Sequence, residues 1–217
     1  MTSPKPLDRD TVVDRLKELP DWRYVDGALR TAYKCNSSRV ATSLFVAVAA
    51  AAEDANHHPD VDWRYDMLFV ALSSHDAGGV TDRDLNLAAT ISEKAKAAEA
   101  KVRLELVRTM DICIDTDDPE PIAELWREAL GYVRDKSGAL VDPHGRCPAV
   151  WFQVTPTPNT SRLHMDINMP VSHAADKLEQ AEKLGGALGH VGTPSWTVVT
   201  DAQGNRFCFC TEAPHEQ

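Results

Sequence analysis

The stretch Glu53-Asp54-Ala55-Asn56-His57-His58-Pro59 puts two adjacent histidines where a helical pattern has to end. Upstream, Val40, Leu44, Val48, Ala51 and Ala55 recur at helical spacing behind Ser37 and Ser38, either of which can cap the first turn. Alanine at positions 47 and 49 to 52 favours the helix and leaves a thin side-chain layer. Helices pack closely on such a layer, which makes this surface a candidate oligomer interface. Pro59 cannot continue the helix and pushes His58 into extended backbone. Glu53 lies one turn before His57 and can reach that ring or another nearby imidazole.

Working outward, Trp63 to Ser74 reads as a strand that is apolar on both faces, a pattern requiring cover on both sides. His75 ends it, on the face that carries Tyr65 and Phe69. Gly78-Gly79 makes a turn, and Thr81 with Asp84 three residues later has the form of a capping box. The helix that follows shows a stripe of Leu87, Ile91, Ala95, Ala98, Val102 and Leu106, so it is expected to run to about Val107, where no linker intervenes. On the N-terminal side, Leu7 to Leu19 reads as a short helix closed by Pro20. Trp22 to Val25 and Ala28 to Cys35 then form a hairpin around Asp26-Gly27.

Histidine titrates near neutrality, so one imidazole can give a proton while another takes one. Dehydration needs that pairing: one group protonates a departing hydroxyl and another removes a proton from the adjacent atom. A helix stop and a strand end account for bare histidines. They do not account for His57, His58 and His75 in the company of Glu53, Arg83 and Asp84. Zinc is a weaker reading, because adjacent histidines diverge in extended chain and no HxxxH or Cys pair accompanies them.

The totals narrow the field. With 217 residues, 43% hydrophobic and 26% charged, the chain can form one large or two smaller globular domains. A net charge of -10 without a basic block excludes binding driven by phosphate neutralisation, so no nucleic-acid partner is expected. The apolar run Leu44 to Ala52 is too short to span a bilayer, and no signal peptide follows Met1. Five cysteines without CxxC spacing fit reduced thiols. The expectation is a soluble cytoplasmic protein without a membrane partner.

From Met110 the periodicity changes. A strand at Asp111 to Thr116 leads into a helix with the expected buried stripe Ile122, Leu125, Trp126, Ala129 and Leu130, ended by Gly131. The pattern recurs at Leu163 to Ile167, Ala174 to Leu184 and Gly185, and each half closes in short strands. Two βαβββ modules are expected.

Two resemblances follow from these residues. The run Glu-x-x-x-His-His-Pro, Tyr65, His75 and Asp84, with Leu19-Pro20-x-Trp22, Ser74-His75-Asp76-x-Gly78-Gly79-Val80-Thr81-x-Arg83-Asp84 and Leu87-Ala88, resembles the pterin-4a-carbinolamine dehydratases over about residues 7 to 100. The resemblance implies an α-β-β-α-β-β-α fold with an antiparallel sheet backed by helices, assembled as a homodimer or homotetramer. It also implies dehydration of 4a-hydroxytetrahydrobiopterin to the quinonoid dihydropterin without cofactor. By transfer, His57 and His75 bind the pterin and shuttle protons, and His58 assists. Glu53 orients an imidazole, while Tyr65, Arg83 and Asp84 support the pocket.

Residues 109 to 211, through Asp118-Pro119, Leu125-Trp126, Leu130-Gly131-Tyr132, Arg162-Leu163-His164-Met165-Asp166 and Asp201-x-x-Gly204-Asn205-x-Phe207-Cys208, are similar to the glyoxalase-like branch of the vicinal-oxygen-chelate fold. The four positions that carry ligands in metal-dependent members fall on Asp111, Gln153, His164 and Cys208. Cysteine stands there for the usual glutamate and aspartate for the usual first ligand, so a metal-free pocket is expected, with a divalent ion on Asp/His as the alternative. Together these readings give a two-domain α+β protein, 1–107 and 108–217. It is read as a lyase with an accessory small-molecule domain; a non-catalytic dimerising scaffold, or a metal-dependent activity in the second domain, is the alternative.

Overall fold

A computed structural model describes residues 5–156, 162–192, 196–202 and 204–211, without the side chains of 190–192. Residues 1–4, where no signal peptide is expected, lie outside these. The chain divides into two compact units, Met1–Val107 and Arg108–Gln217. Among the described residues no helix is long and apolar enough to cross a membrane. The fold class is α+β.

The first unit runs α1 (Arg9–Arg15), β1 (Arg23–Val25), β2 (Ala28–Lys34), α2 (Ser38–Ala55), β3 (Asp60–Arg64), β4 (Met67–Leu72), α3 (Asp82–Ala97) and β5 (Lys101–Val102). The strands form one antiparallel sheet in the order β1-β2-β4-β3, with β5 pairing β2. Leu29, Leu44, Leu68, Leu72, Leu87 and Ile91 are among the residues of a single core cluster. Trp22 lies fully buried beside them and donates its indole N–H to Ser92 Oγ at 3.0 Å.

Two local expectations, the long strand and the end of the third helix, fail for one reason: a non-glycine residue takes the left-handed conformation, which also stops α2 at Ala55 where its stripe ends. Asn56 at φ 46° ends α2 three residues before Pro59, and the His57 N–H turns back onto the Ala52 carbonyl at 3.0 Å. Tyr65 at φ 55° breaks the expected long strand into the β3–β4 hairpin. Glu99 at φ 52° ends the last helix at Ala97 rather than near Val107, with the Ala100 N–H closing on Ala95 at 3.0 Å. Val102 is thereby released to pair with Tyr33. Leu104, Leu106 and Val107 cover Met67 and Phe69, the second apolar face of β4.

The second unit holds β6 (Thr109–Thr116), α4 (Glu120–Leu130), β7 (Val133–Arg134), β8 (Leu140–Val141) and β9 (Val150–Val154). The module then repeats as β10 (Leu163–Asn168), α5 (Val171–Lys183), β11 (Ala187–Gly192), β12 (Trp196–Thr200) and β13 (Arg206–Cys210). The expected two βαβββ modules share an eight-stranded sheet, β11-β12-β13-β10-β6-β9-β8-β7. Its centre is symmetric: β6 and β10 run antiparallel, and each pairs in parallel with the last strand of its own module. On α4 the buried face is Ala123 with Ile122 and Trp126 packed behind it, whereas Leu125 is 71% exposed. The stripe lies one position away from the one expected at Leu125.

Candidate functional site

In the first unit the sequence folds so that the end of α2 meets the start of α3. His57 is held just past the left-handed Asn56, and its ring is buried. Its Nε2 lies 2.6 Å from Asp84 Oδ1. Asp84 is fully buried because its other oxygen is the meeting point of three donors: Ser74 Oγ at 2.7 Å, the Thr81 N–H at 2.7 Å and Thr81 Oγ1 at 3.1 Å. One carboxylate therefore caps α3 and anchors an imidazole from α2. A buried carboxylate requires several such partners. With Nε2 engaged by Asp84, Nδ1 is the ring's remaining nitrogen, and among the described residues no protein group bonds to it. The imidazole is oriented by a carboxylate and left one nitrogen for proton transfer.

His58 turns outward. Its Nε2 lies 3.0 Å from Glu53 Oε1, and both groups are largely exposed. Glu53 thus orients His58, not His57. His75 is exposed in the turn that the Ser74–Gly79 bridge closes, one residue from the Ser74 that bonds Asp84. Arg83 pairs with Asp76 and so ties that turn to the first turn of α3. This contact holds the Asp76 carboxyl below its usual range. Arg83 thus contacts the turn that carries His75, and Asp84 contacts His57.

Tyr65 stands apart. It lies at the β3–β4 hairpin tip, 76% exposed, with its carbonyl accepting the Trp63 indole N–H at 2.6 Å. The whole of β3 separates it from His58, a span of roughly 16 Å at the rise of a strand, so within this chain it does not line the histidine cluster. In the sequence Ser74 is one residue of a motif and Thr81 a helix cap. Their role as donors to Asp84 had one available signal, a capping-box acid preceded by hydroxyl residues.

In the second unit the alternate residues of four strands share one sheet face. Registers place His164 opposite Cys113, Asp166 opposite Asp111 and Cys208, and Gln153 opposite Asp115. A cavity of about 460 Å³ lies there, with Gln153, His164 and Cys208 in its lining. Asp111 is not part of that lining; its carboxylate accepts from Asn168 Nδ2 at 3.0 Å. The carboxylates beside His164 are instead Asp115, 3.9 Å from Nδ1, and Asp166, 3.6 Å from Nε2. Neither stood among the sequence candidates. Alternation predicts that Asp115 and Asp166 share a face with Asp111 and His164, and that signal was available.

The four family positions do not fit a metal as a set. Among the described His, Cys, Asp and Glu side chains, the potential donors that converge within 4.8 Å are Cys113, Asp115 and His164, or His164, Asp166 and Cys208; Asp111 belongs to neither group. Burial, with Asp166 next, pushes the Cys208 thiol up to about 12. Cys113 is raised for the same reasons. These thiols keep their protons, so neither is a nucleophile at neutral pH.

The family model described as pterin 4 alpha carbinolamine dehydratase matches residues 5–94, and that of a glyoxalase-like domain matches residues 111–210. A protein of Thermomicrobium roseum with the provisional name pterin-4-alpha-carbinolamine dehydratase is 39% identical over 89 residues, 41% of this chain and 96% of that protein. A Nocardia farcinica protein with the same provisional name is 39% identical over 90 residues, 42% of this chain and 95% of its own length. A solved structure from Brucella melitensis described as a transcriptional coactivator/pterin dehydratase aligns with 42% of this chain and 99% of its own, at 27% identity and a TM-score of 0.41. A Vibrio splendidus member of the glyoxalase/bleomycin resistance protein/dioxygenase superfamily aligns with 48% of this chain and 99% of its own, at 13% identity and a TM-score of 0.33.

Proposed function

Through residues 5–94 this chain belongs to the pterin 4 alpha carbinolamine dehydratase family, and on that premise we propose that its first unit dehydrates 4a-hydroxytetrahydrobiopterin to the quinonoid dihydropterin. A glyoxalase-like domain is fused behind it. The observation that carries the reading is the buried His57–Asp84 pair at 2.6 Å. A scaffold has no use for an imidazole whose one nitrogen is pinned to a buried carboxylate while the other stays available.

In the reaction, the C–O bond at the carbinolamine carbon breaks, the hydroxyl leaves as water with a proton received from an acid, and a base takes a proton from the adjacent nitrogen. His57, fixed in one tautomer by Asp84, supplies one proton-transfer group, and His75, on the turn braced by Arg83 and Asp76, supplies the other. His58, paired with Glu53, assists at the exposed rim. No step calls for a metal or an organic cofactor, and both units are proposed to work without one.

We further assign assembly as a homodimer or homotetramer to this unit, on the strength of Phe45 and Val46 standing 38% and 59% exposed on α2 and Trp63 standing 47% exposed on edge strand β3. Turnover of freshly generated carbinolamine above the uncatalysed background tests the activity. The double variant His57→Ala/His75→Ala is expected to fall to background while its amide spectrum stays folded. Near-wild-type turnover in that variant removes the histidine assignment.

A further inference from the structure

Behind the histidines of the first unit, one small residue reaches both. Ser74 and Asp84 are fully buried, with Thr81 3% and His57 8% exposed beside them. The Ser74 hydroxyl donates to Asp84 Oδ2 at 2.7 Å, while Asp84 Oδ1 holds His57 Nε2 at 2.6 Å. Through its main chain the same residue closes the turn that carries His75. The Ser74 N–H donates to the Gly79 carbonyl at 3.0 Å. The Ser74 carbonyl accepts from the Ala77 N–H at 3.0 Å and the Gly78 N–H at 2.9 Å. The path from the His57 ring to the His75 backbone thus runs through one carboxylate and one serine.

Each hydroxyl in this cluster carries a single hydrogen. Thr81 Oγ1 lies 2.8 Å from Ser74 Oγ and 3.1 Å from Asp84 Oδ2, and it accepts the Arg83 N–H at 3.2 Å. The shorter hydroxyl line to the carboxylate is that of Ser74, and a bond to a charged acceptor is the stronger one. The Ser74 hydrogen therefore goes to Asp84, and the Thr81 hydrogen is shared between its neighbours. A second tie joins the turn to α3, the Arg83–Asp76 pair, but its side chains are 39% and 52% exposed. Water and mobile ions weaken such a pair. The Ser74 bond lies wholly out of solvent, where a hydrogen bond to a carboxylate gains strength. Ser74 is the tie that sets where the His75 turn stands relative to Asp84 and His57.

We propose that Ser74 is a positioning residue for both proton-transfer histidines. Its hydroxyl holds Asp84 in the orientation that aims the His57 ring, and its main chain holds the His75 turn at a fixed reach from that ring. The effect on rate rests on the dehydratase reading of this unit, whereas the effect on the rings does not.

Wild type, Ser74→Ala and Ser74→Thr are compared as full chains, by carbinolamine turnover and by NMR of the imidazole ring nitrogens. Ser74→Ala is expected to lower kcat about tenfold to a hundredfold, the loss usual when the outer partner of an oriented imidazole is removed, with KM changed far less. The ring signals of His57 and His75 are expected to move together. Ser74→Thr keeps the hydroxyl and is expected to restore both rate and signals. A merely structural role would lower stability and leave kcat and the ring signals of the folded protein in place. Ser74→Cys, a weak donor of similar size, replaces Ser74→Ala if that variant does not fold, with the same expectation. Wild-type kcat in Ser74→Ala overturns the proposal, as do a loss confined to KM, unmoved signals of either ring, or a folded Ser74→Thr as slow as Ser74→Ala. If wild type itself does not dehydrate the carbinolamine, the dehydratase reading falls and the ring signals alone decide. Signals that move in Ser74→Ala and return in Ser74→Thr then keep Ser74 as the tie between the imidazoles, and unmoved signals overturn it.

Discussion

The two units carry their reactive groups in opposite ways. In the first, they sit at the ends of elements: His57 past the end of α2, His75 in a turn, Asp84 in the first turn of α3. Two short segments, 53–58 and 74–84, hold nearly all of them. In the second, they lie in the middles of strands, one or two per strand, and only the sheet register assembles them. Groups at element ends are legible as a contiguous motif, even where, as with His57 and Asp84, they are buried. Groups on alternating strand positions form a cavity wall that no contiguous stretch reveals.

The comparison is sharpened most by Asp84→Asn against Asp166→Asn. Asparagine at 84 presents an amide where His57 Nε2 now donates, so the imidazole loses its fixed tautomer. Turnover should fall by about 10²-fold or more, within the range of general acid–base contributions, with KM much less affected. The same change at 166 should leave turnover alone. Next is stability. Asp84→Ala removes a cap worth about 1 kcal/mol and leaves buried His57 and Ser74 without their acceptor, a further 1–3 kcal/mol or so. Chemical denaturation should show a loss of roughly 2–4 kcal/mol in total. Glu53→Ala breaks only an exposed pair and should cost under about 1 kcal/mol.

Alkaline pH separates the units differently. Cys208 and Cys210 are raised by burial from 9.0 to about 12. The folded state therefore keeps protons that the unfolded chain gives up above pH 9. This stability is whole below that pH and is lost as pH rises toward 12. In the first unit burial raises Cys35 above its ordinary 9.0 and carries Tyr33 from 10.0 to about 12, so one thiol there, against Cys113, Cys208 and Cys210 in the second unit, contributes to the loss that starts above pH 9. Under reducing conditions, residue-resolved amide spectra should show the second unit loosening first. The smallest effect is chemical: iodoacetamide on the native chain at pH 8 should label exposed Cys147 well before buried Cys113 or Cys208. Mass mapping of the labelled sites checks it. Early labelling at Cys208 would contradict the protonated, enclosed thiol.

Much of this was legible in the sequence. Asp26-Gly27, the Thr81–Asp84 capping box and the two βαβββ modules follow from composition and period, whereas the meeting of His57 with Asp84 across 27 residues does not. Asn56, Tyr65 and Glu99 were not legible, because left-handed backbone at a residue with a side chain leaves no mark that glycine would leave. That cost the correct end of α3, the β3–β4 hairpin and the position of Tyr65, now at the hairpin tip. It also hid which imidazole Glu53 would meet, since the Asn56 turn swings His57 inward and leaves His58 outside. In the second unit, transfer by family position picked Asp111, yet Asn168 opposite its end of β6 takes that carboxylate, and Asp115 and Asp166 flank His164 instead.

The most direct test of the central claim sets His57→Ala beside His164→Ala in the full chain and measures carbinolamine dehydration for each. The account predicts loss of turnover by about 10²- to 10⁴-fold in the first and wild-type turnover in the second. Turnover that survives the loss of His57 and disappears with His164 would place the chemistry in the other unit and contradict it.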